Sequence, residues 1–194
     1  FVYEAYNNGK YTIAEKQQMF PHLFNSLSVV IPVLSSTFAS VGRFLKHAGN
    51  KSLGMLIIDE SGQAVPQSAL GAIYRTKRAV VVGDPLQVEP VVTIPKVLID
   101  ILADSTGVAN EYKVIENSAQ TFADNINEFN GMIGNRQVGC PLVVHRRCID
   151  PMFSISNLIS YDNRMFNKTN KKEEYLKPEN PFLIKKSGWI NVEG

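Results

Sequence analysis

Cysteine is scarce: Cys140 and Cys148 are the only two in 194 residues. Two thiols do not make a disulfide framework, so a reducing, cytoplasmic (intracellular) setting is expected. Long apolar runs are missing too. The longest, around Leu27 to Leu34, contains Pro32 and falls far short of the roughly 20 residues a spanning helix needs. No membrane partner is expected. The opening Phe1-Val2-Tyr3-Glu4 lacks the positively charged start and long apolar stretch of a secretory signal. It also lacks Met, which points to a cut-down piece of a longer chain. No internal repeat is present. An excess of charge of one sign is nearly absent as well, the net value being +2. That balance neither demands nor excludes a nucleic-acid partner, because local contacts can hold a strand without a strongly basic surface. What remains is ordinary globular material, with 44% hydrophobic and 20% charged residues. It suffices for one domain or for parts of two.

Apolar periodicity divides the chain. Tyr11 to Leu27 has helical spacing, with Ile13, Met19, Phe20 and Phe24 as anchors and Pro21 as a break or a second start. Ser28 to Leu34 is short and β-branched, and Ser35-Ser36-Thr37 follows it, so a buried strand and a polar turn are predicted. Leu53 to Ile58 and Ala79 to Val82 are continuously apolar, as in parallel strands covered on both faces. Pro66 to Tyr74 reads as the crossover helix between them, and further helices are predicted over Pro95 to Leu102 and Ser118 to Phe129. This alternation is the α/β pattern. A domain change is expected near Gly131 to Gly139. Beyond it, Gly139 to His145 reads as a strand. Asp150-Pro151 reads as the N-cap and first residue of a helix whose apolar face is Met152, Ile155, Leu158 and Ile159. Lys168 to Asn180 reads as a solvated loop, and Ser187 to Val192 as a strand.

Two strand ends carry chemistry. Ile57-Ile58 runs into Asp59-Glu60-Ser61-Gly62-Gln63-Ala64. Carboxylates at the C-terminal end of a parallel strand lie where α/β sheets bind ligands. Of two adjacent acids, one can hold Mg²⁺ and the other can orient or deprotonate a water. A solvated turn after a strand is the plain alternative. Val82 leads into Gly83-Asp84-Pro85-Leu86-Gln87-Val88-Glu89-Pro90. The Gln87 amide both donates and accepts hydrogen bonds, so it can register a terminal phosphate. An ordinary Gly-Asp-Pro turn is the alternative there.

Together the two blocks are more specific. Asp-Glu-x-x-Gln, then Gly-Asp-x-x-Gln-x-x-Pro about 24 residues on, resembles motifs II and III of superfamily 1 helicases. The Gly62-Gln63-Ala64 detail resembles the branch that contains the nonsense-mediated-decay helicase and its DNA-directed relatives. The resemblance implies a RecA-like, P-loop NTPase fold using ATP and Mg²⁺. It implies Asp59 as magnesium ligand, Glu60 as catalytic base, Gln63 and Gln87 near the γ-phosphate, and Asp84 supporting motif III. Ser35-Ser36-Thr37 resembles the motif that touches the nucleic-acid backbone, with Ser36 and Thr37 as its contacts. His145-Arg146-Arg147-Cys148 resembles the family's His-Tyr-Arg-Cys-His-Pro block, which makes Arg147 the arginine that reaches the nucleotide. Arg146 stands where an aromatic is usual, and Ile149-Asp150 stands where one His precedes the Pro. Which of Arg146 and Arg147 faces ATP therefore stays open.

Gly-x-x-x-x-Gly-Lys-Ser/Thr, the phosphate loop, does not occur. Gly49-Asn50-Lys51-Ser52 lacks the Gly before Lys and precedes a strand instead of following one. The resemblance implies residues 1–131 as a partial first motor domain without that loop, and 132–194 as the start of the second. The intact parent would be an ATP-dependent helicase or translocase acting on DNA or RNA, single-stranded by preference, with the rest of its own motor as partner. This piece alone is expected to be inactive. A helicase-like ATPase that remodels protein–nucleic-acid complexes and a non-catalytic binding scaffold are the alternatives. Cys140, His145 and Cys148 form a Cys-x₄-His-x-x-Cys spacing that offers three zinc ligands and no fourth.

Overall fold

The structure is a computed structural model that describes residues 8–113, 115 and 117–169. The chain falls into two compact units. The first comprises the chain up to Asn130 with Gln137–Gly139, and the second comprises Gly131–Arg136 with the chain from Cys140 on.

In the first unit, helix α1 (Ile13–Val30) begins at a capping box. Thr12 accepts from the Glu15 amide, and Glu15 accepts from the Thr12 amide, so two otherwise unpaired donors are satisfied. The helix runs through Pro21 and does not break there. Phe20 and Phe24 stack at 4.2 Å over Leu45 and Ala48, and that packing holds the turn where proline removes a backbone donor. Helix α2 (Phe38–Phe44) follows.

The strand predicted at Ser28 to Leu34 does not form. Ser28 to Val30 is the last turn of α1, and residues 31–37 are neither helix nor strand. Ser26 and Ser28 hydroxyls donate to the carbonyls of His22 and Phe24, an arrangement that seats serine within a helix. Val29 is 85% and Val30 80% exposed. A β-branched run becomes a strand only beside a partner, and among the described residues no strand pairs with it.

Strand β1 (Leu53–Ile58) and strand β2 (Thr76–Val81) pair in parallel, with Leu56 opposite Ala79 and Ile58 opposite Val81. Parallel neighbours require a crossover, here helix α3 (Pro66–Tyr74). Pro66 opens it, with the residue before held extended. Ala69 and Ala72, each 1% exposed, are small enough to let the helix sit close. Ile58 and Ala69 form a core with Ala119, on which Phe38, Leu56, Ala64 and Val81 pack. Burying a side chain the size of Ile58 contributes about 2 kcal/mol. Among the described residues, one face of this sheet is covered and the other is covered only at Leu53, which packs on Phe20, Leu45 and Ala48. Met55, Ile57 and Val80 on the other face are exposed, which corrects the expectation of strands covered on both sides. Helix α4 (Lys96–Thr106) and helix α5 (Ala119–Ile126) complete the unit. Lys113 pairs with Asp100 of α4 at 2.7 Å. A second capping box, Ser118 with Thr121, opens α5.

Strand β3 (Gly131–Ile133) and strand β4 (Arg136–Val138) come next. In the second unit, β5 (Val144–His145) pairs in parallel with β6 (Phe166–Asn167) across helix α6 (Met152–Ser160). The strand expected over Gly139 to His145 is thus confined to its last two residues. Helix α6 starts after Pro151, one residue later than predicted, and Asp150 accepts from the Ser154 amide at 3.2 Å. Asn157, buried, accepts from the Met165 amide and donates to the Met165 carbonyl, which returns the chain into β6. The apolar face expected on α6 exists in sequence but is not covered. Met152, Ile155, Leu158 and Ile159 are all exposed among the described residues, because a two-residue pair of strands offers them no layer. The loop predicted beyond Thr169 and the strand predicted at Ser187 to Val192 lie outside the described residues.

Candidate nucleotide site

The site-bearing segments emerge side by side at the C-terminal ends of β1 and β2. The register carries one step beyond the strands, where the Val82 amide donates to the Ile58 carbonyl at 2.8 Å and the Ser61 amide to the Val82 carbonyl at 3.0 Å. Asp59, Glu60 and Ser61 therefore leave the sheet against Val82, Gly83 and Asp84. Two glycines permit the approach. A Cβ on Gly62 would lie 2.6 Å from the Asp84 carbonyl oxygen, and one on Gly83 would lie 2.6 Å from Ser61 Oγ and 2.7 Å from the Gly62 amide. No side chain fits either gap.

Glu60 occupies the left-handed region, with φ 52° and ψ 37°. Glycine adopts that conformation freely, but a residue with a Cβ is strained there by about 1–3 kcal/mol, and such strain collects at functional turns. The surroundings enforce it. The Ser61 amide is fixed on Val82, and the Gln63 amide donates back to the Glu60 carbonyl at 3.0 Å. Ser61 is fully buried.

The carboxylates stay accessible. Asp59 and Glu60 are exposed. Asp59 Oδ1 accepts from the Glu60 amide at 3.0 Å, and its Oδ2 meets no protein donor among the described residues. Gln63 Nε2 donates to Glu60 Oε2 at 3.3 Å. Asp84 works within its own turn: Oδ1 accepts from the Leu86 amide at 3.0 Å, and Oδ2 accepts from Gln87 Nε2 at 2.8 Å. Asp84 thus sets the Gln87 amide. Asp59, Glu60, Gln63, Asp84 and Gln87 are gathered at one end of the sheet.

Ser36 and Thr37 precede α2, whose first residue, Phe38, packs on Ile58, Ala69 and Ala119. Thr37 Oγ1 donates to Ser40 Oγ, and Ser36 Oγ donates to the Thr37 carbonyl, both at 3.3 Å. Neither is tied to the carboxylates. In the second unit, Arg146 and Arg147 are exposed and make no hydrogen bond or ion pair among the described residues. The turn that carries them is held by His145, whose Nε2 accepts from the Cys148 amide at 2.7 Å. A nitrogen that accepts there is not a metal ligand, and no three His, Cys, Asp or Glu among the described residues group to hold a metal.

Three participants escaped sequence reasoning. Ser61 stands between Glu60 and Gly62, and the sequence assigns it no role. Gln120 bonds Ser61 from 59 residues away, and Asp124 bonds Gln120. Nothing in a single sequence marks them, although the buried polar face of α5 would have shown as Ser118, Gln120 and Asp124 on an otherwise amphipathic helix.

A family model described as an AAA domain matches residues 4–94. The match supports a helicase-like ATPase of superfamily 1. Domains of that family are P-loop NTPases, with nucleotide use, Mg²⁺ and nucleic acid as their general properties, and the short parallel sheet is consistent with the coarse α/β class. Within the matched span lie Ser36, Thr37, Asp59, Glu60, Gln63, Asp84 and Gln87. Arg147 lies beyond it. No curated protein and no solved structure matches the chain. No helix among the described residues is long and apolar enough to cross a membrane.

Proposed function

We propose that the corner between β1 and β2 is the hydrolytic centre of an ATP-dependent helicase or translocase, with RecA-like architecture, of the branch resembling the nonsense-mediated-decay helicase. One observation carries this reading. The two motif turns are locked together through Gly62, Gly83 and Ser61, so that Asp59, Glu60 and Gln87 leave one sheet end in a fixed relation. A pair of solvated turns has no need of such closeness or of a left-handed glutamate.

The donor set suits Mg²⁺. Asp59 offers a hard, accessible carboxylate oxygen, and magnesium characteristically takes one or two carboxylates, waters and substrate phosphates instead of an all-protein cage. When bound, the ion supplies charge compensation to the phosphates. Glu60 orients a water for in-line attack and takes up its proton. Its backbone conformation aims the carboxylate before substrate arrives, so little rearrangement is needed in the transition state. Gln87, braced by Asp84, contacts the terminal phosphate and differs in its hydrogen bonding once that phosphate is gone. Gln63 holds Glu60 in the resting arrangement. Arg147 supplies positive charge to the phosphates as hydrolysis proceeds, and Ser36 and Thr37 offer hydroxyls to a single strand of DNA or RNA. Such chemistry also requires a phosphate loop, and the Gly-x-x-x-x-Gly-Lys-Ser/Thr pattern does not occur in these 194 residues.

Glu60→Gln in the intact motor tests the reading. The change keeps shape and removes the acceptor charge, so hydrolysis is expected to vanish while nucleotide binding persists. Parental turnover in that variant would remove Glu60 from the role.

A further inference from the structure

Behind the exposed carboxylates lies a buried polar chain. Ser61 Oγ lies 2.8 Å from the Val82 carbonyl and 2.5 Å from Gln120 Oε1. A hydroxyl has one proton and can serve only one of them. The Val82 carbonyl already accepts from the Ser61 amide, whereas Gln120, its Nε2 turned to Asp124, presents an oxygen that only the hydroxyl can supply, so the proton goes to Gln120. Gln120 Nε2 in turn donates to Asp124 Oδ1 at 2.7 Å, and the Gly139 amide donates to the same oxygen at 3.0 Å. Every dipole in the chain points towards the Asp124 carboxylate, and hydrogen bonds aligned in series reinforce one another in a dry interior. Gln120 is 8% and Asp124 4% exposed. Stability alone accounts poorly for this chain. Asp124 Oδ2 is buried with no partner, a cost that an apolar replacement would avoid.

We infer that Gln120 is a positioning residue for the nucleotide site, acting through Ser61 to hold Glu60 in its left-handed conformation. The inference rests on the reading of Glu60 given above. Ser61 follows Glu60 directly, and its side chain is fully buried. With the hydroxyl tethered to Gln120, the peptide between Glu60 and Ser61 cannot rotate to relieve the strain at Glu60. Without the tether, only the backbone bonds from Ser61 to Val82 and from Gln63 to Glu60 resist the strain, and the Glu60 carboxylate drifts off the line of attack. Asp124 and Gly139 anchor the far end. A Cβ on Gly139 would fall 2.9 Å from Asp124 Oδ1, so the anchor depends on close backbone approach.

The test is a double-mutant cycle in the intact motor. Gln120→Met, an apolar replacement of similar length, and Ser61→Ala are each measured for turnover and for nucleotide affinity, then combined. If Gln120 acts through Ser61, each single change lowers kcat by about tenfold or more, since a misplaced catalytic group costs up to about 10²-fold. Nucleotide affinity stays within about twofold, and the double variant falls no further than the worse single one. A Gln120→Met protein that melts earlier yet turns over normally overturns the inference, as do losses that multiply. If Gln120→Met does not fold, Ser61→Ala alone decides, because unchanged kcat there leaves Gln120 nothing to act through. Glu60→Gln runs in parallel. If it too keeps full activity, the reading of the site fails. If it is inactive while Ser61→Ala and Gln120→Met are normal, only the positioning role fails.

Discussion

The corner at Asp59 to Gln87 and the block at His145 to Cys148 both carry residues that the helicase resemblance singles out, yet they are built in opposite ways. The corner is over-determined. Its two glycines admit no side chain, its serine is fully buried, and its glutamate is held against its own backbone preference. The arginine block is held only at its ends, by His145 and Cys148, through the Cys148 amide on His145 and the bonds of both residues to the β6 segment, and it leaves both guanidinium groups exposed. A rigid corner suits groups that must be placed before substrate arrives. Long exposed cations suit a group whose partner comes from outside its own unit.

The largest effect that sharpens this contrast is on turnover. Arg147→Ala in the intact motor is expected to lower hydrolysis by a factor of about 10³, with folding little altered because Arg147 is exposed and makes no hydrogen bond or ion pair among the described residues. Arg146→Ala should do less. Rates and melting temperatures of the two variants decide between them, and a selective loss in Arg146→Ala would move the assignment by one residue. Next comes Gly83→Ala, which forces a methyl onto Ser61 and the Gly62 amide. Overpacking of this kind destabilises by about 1–3 kcal/mol, whereas Gly54→Ala, with nothing within 4 Å of the new Cβ, should melt with the parent. Equal melting of both alanine variants would show that the corner is not tight.

His145→Ala is expected to cost only about 1 kcal/mol, the usual net worth of one hydrogen bond, and to lower turnover through loss of the Arg147 turn more than it lowers stability. A melting shift as large as that of Gly83→Ala would erase the contrast between the regions. The smallest effect lies away from both. Thr12 holds the Glu15 carboxylate below its ordinary value of 4.5, first through the backbone amide and then through the hydroxyl. A depressed folded-state value gives stability that is complete above 4.5 and is lost as pH falls through the lowered value. Acid titration of α1 helicity should show that loss, and Glu15→Gln should flatten it.

The motifs were legible because their chemistry is local. Asp-Glu after one apolar run and Gly-Asp-x-x-Gln after the next place carboxylates and amide at neighbouring strand ends once the two runs pair in parallel. The crossover helix opened by Pro66 was legible for the same reason. Residues 28–34 were not, because their β-branched composition fits a strand only where a neighbour exists, and the serines ahead of them accept a helix equally well. The apolar stripe on α6 was legible as a pattern, but periodicity identifies a face without supplying its cover. Gln120 was out of reach altogether. Its meaning depends on Ser61, far away along the chain, and single-sequence patterns carry no pairing over such separations.

The open side of the β1–β2 sheet governs how the chain behaves in a tube. Two strands have two edges, and among the described residues neither edge has a further neighbour, while Met55, Ile57 and Val80 point outward from the uncovered face. Unpaired edges next to apolar surface template intermolecular strand addition. A net charge of +2 supplies little colloidal repulsion against it. Purified at high concentration, the chain should self-associate through added strands, so turbidity and thioflavin-type signals would rise before any loss of helix.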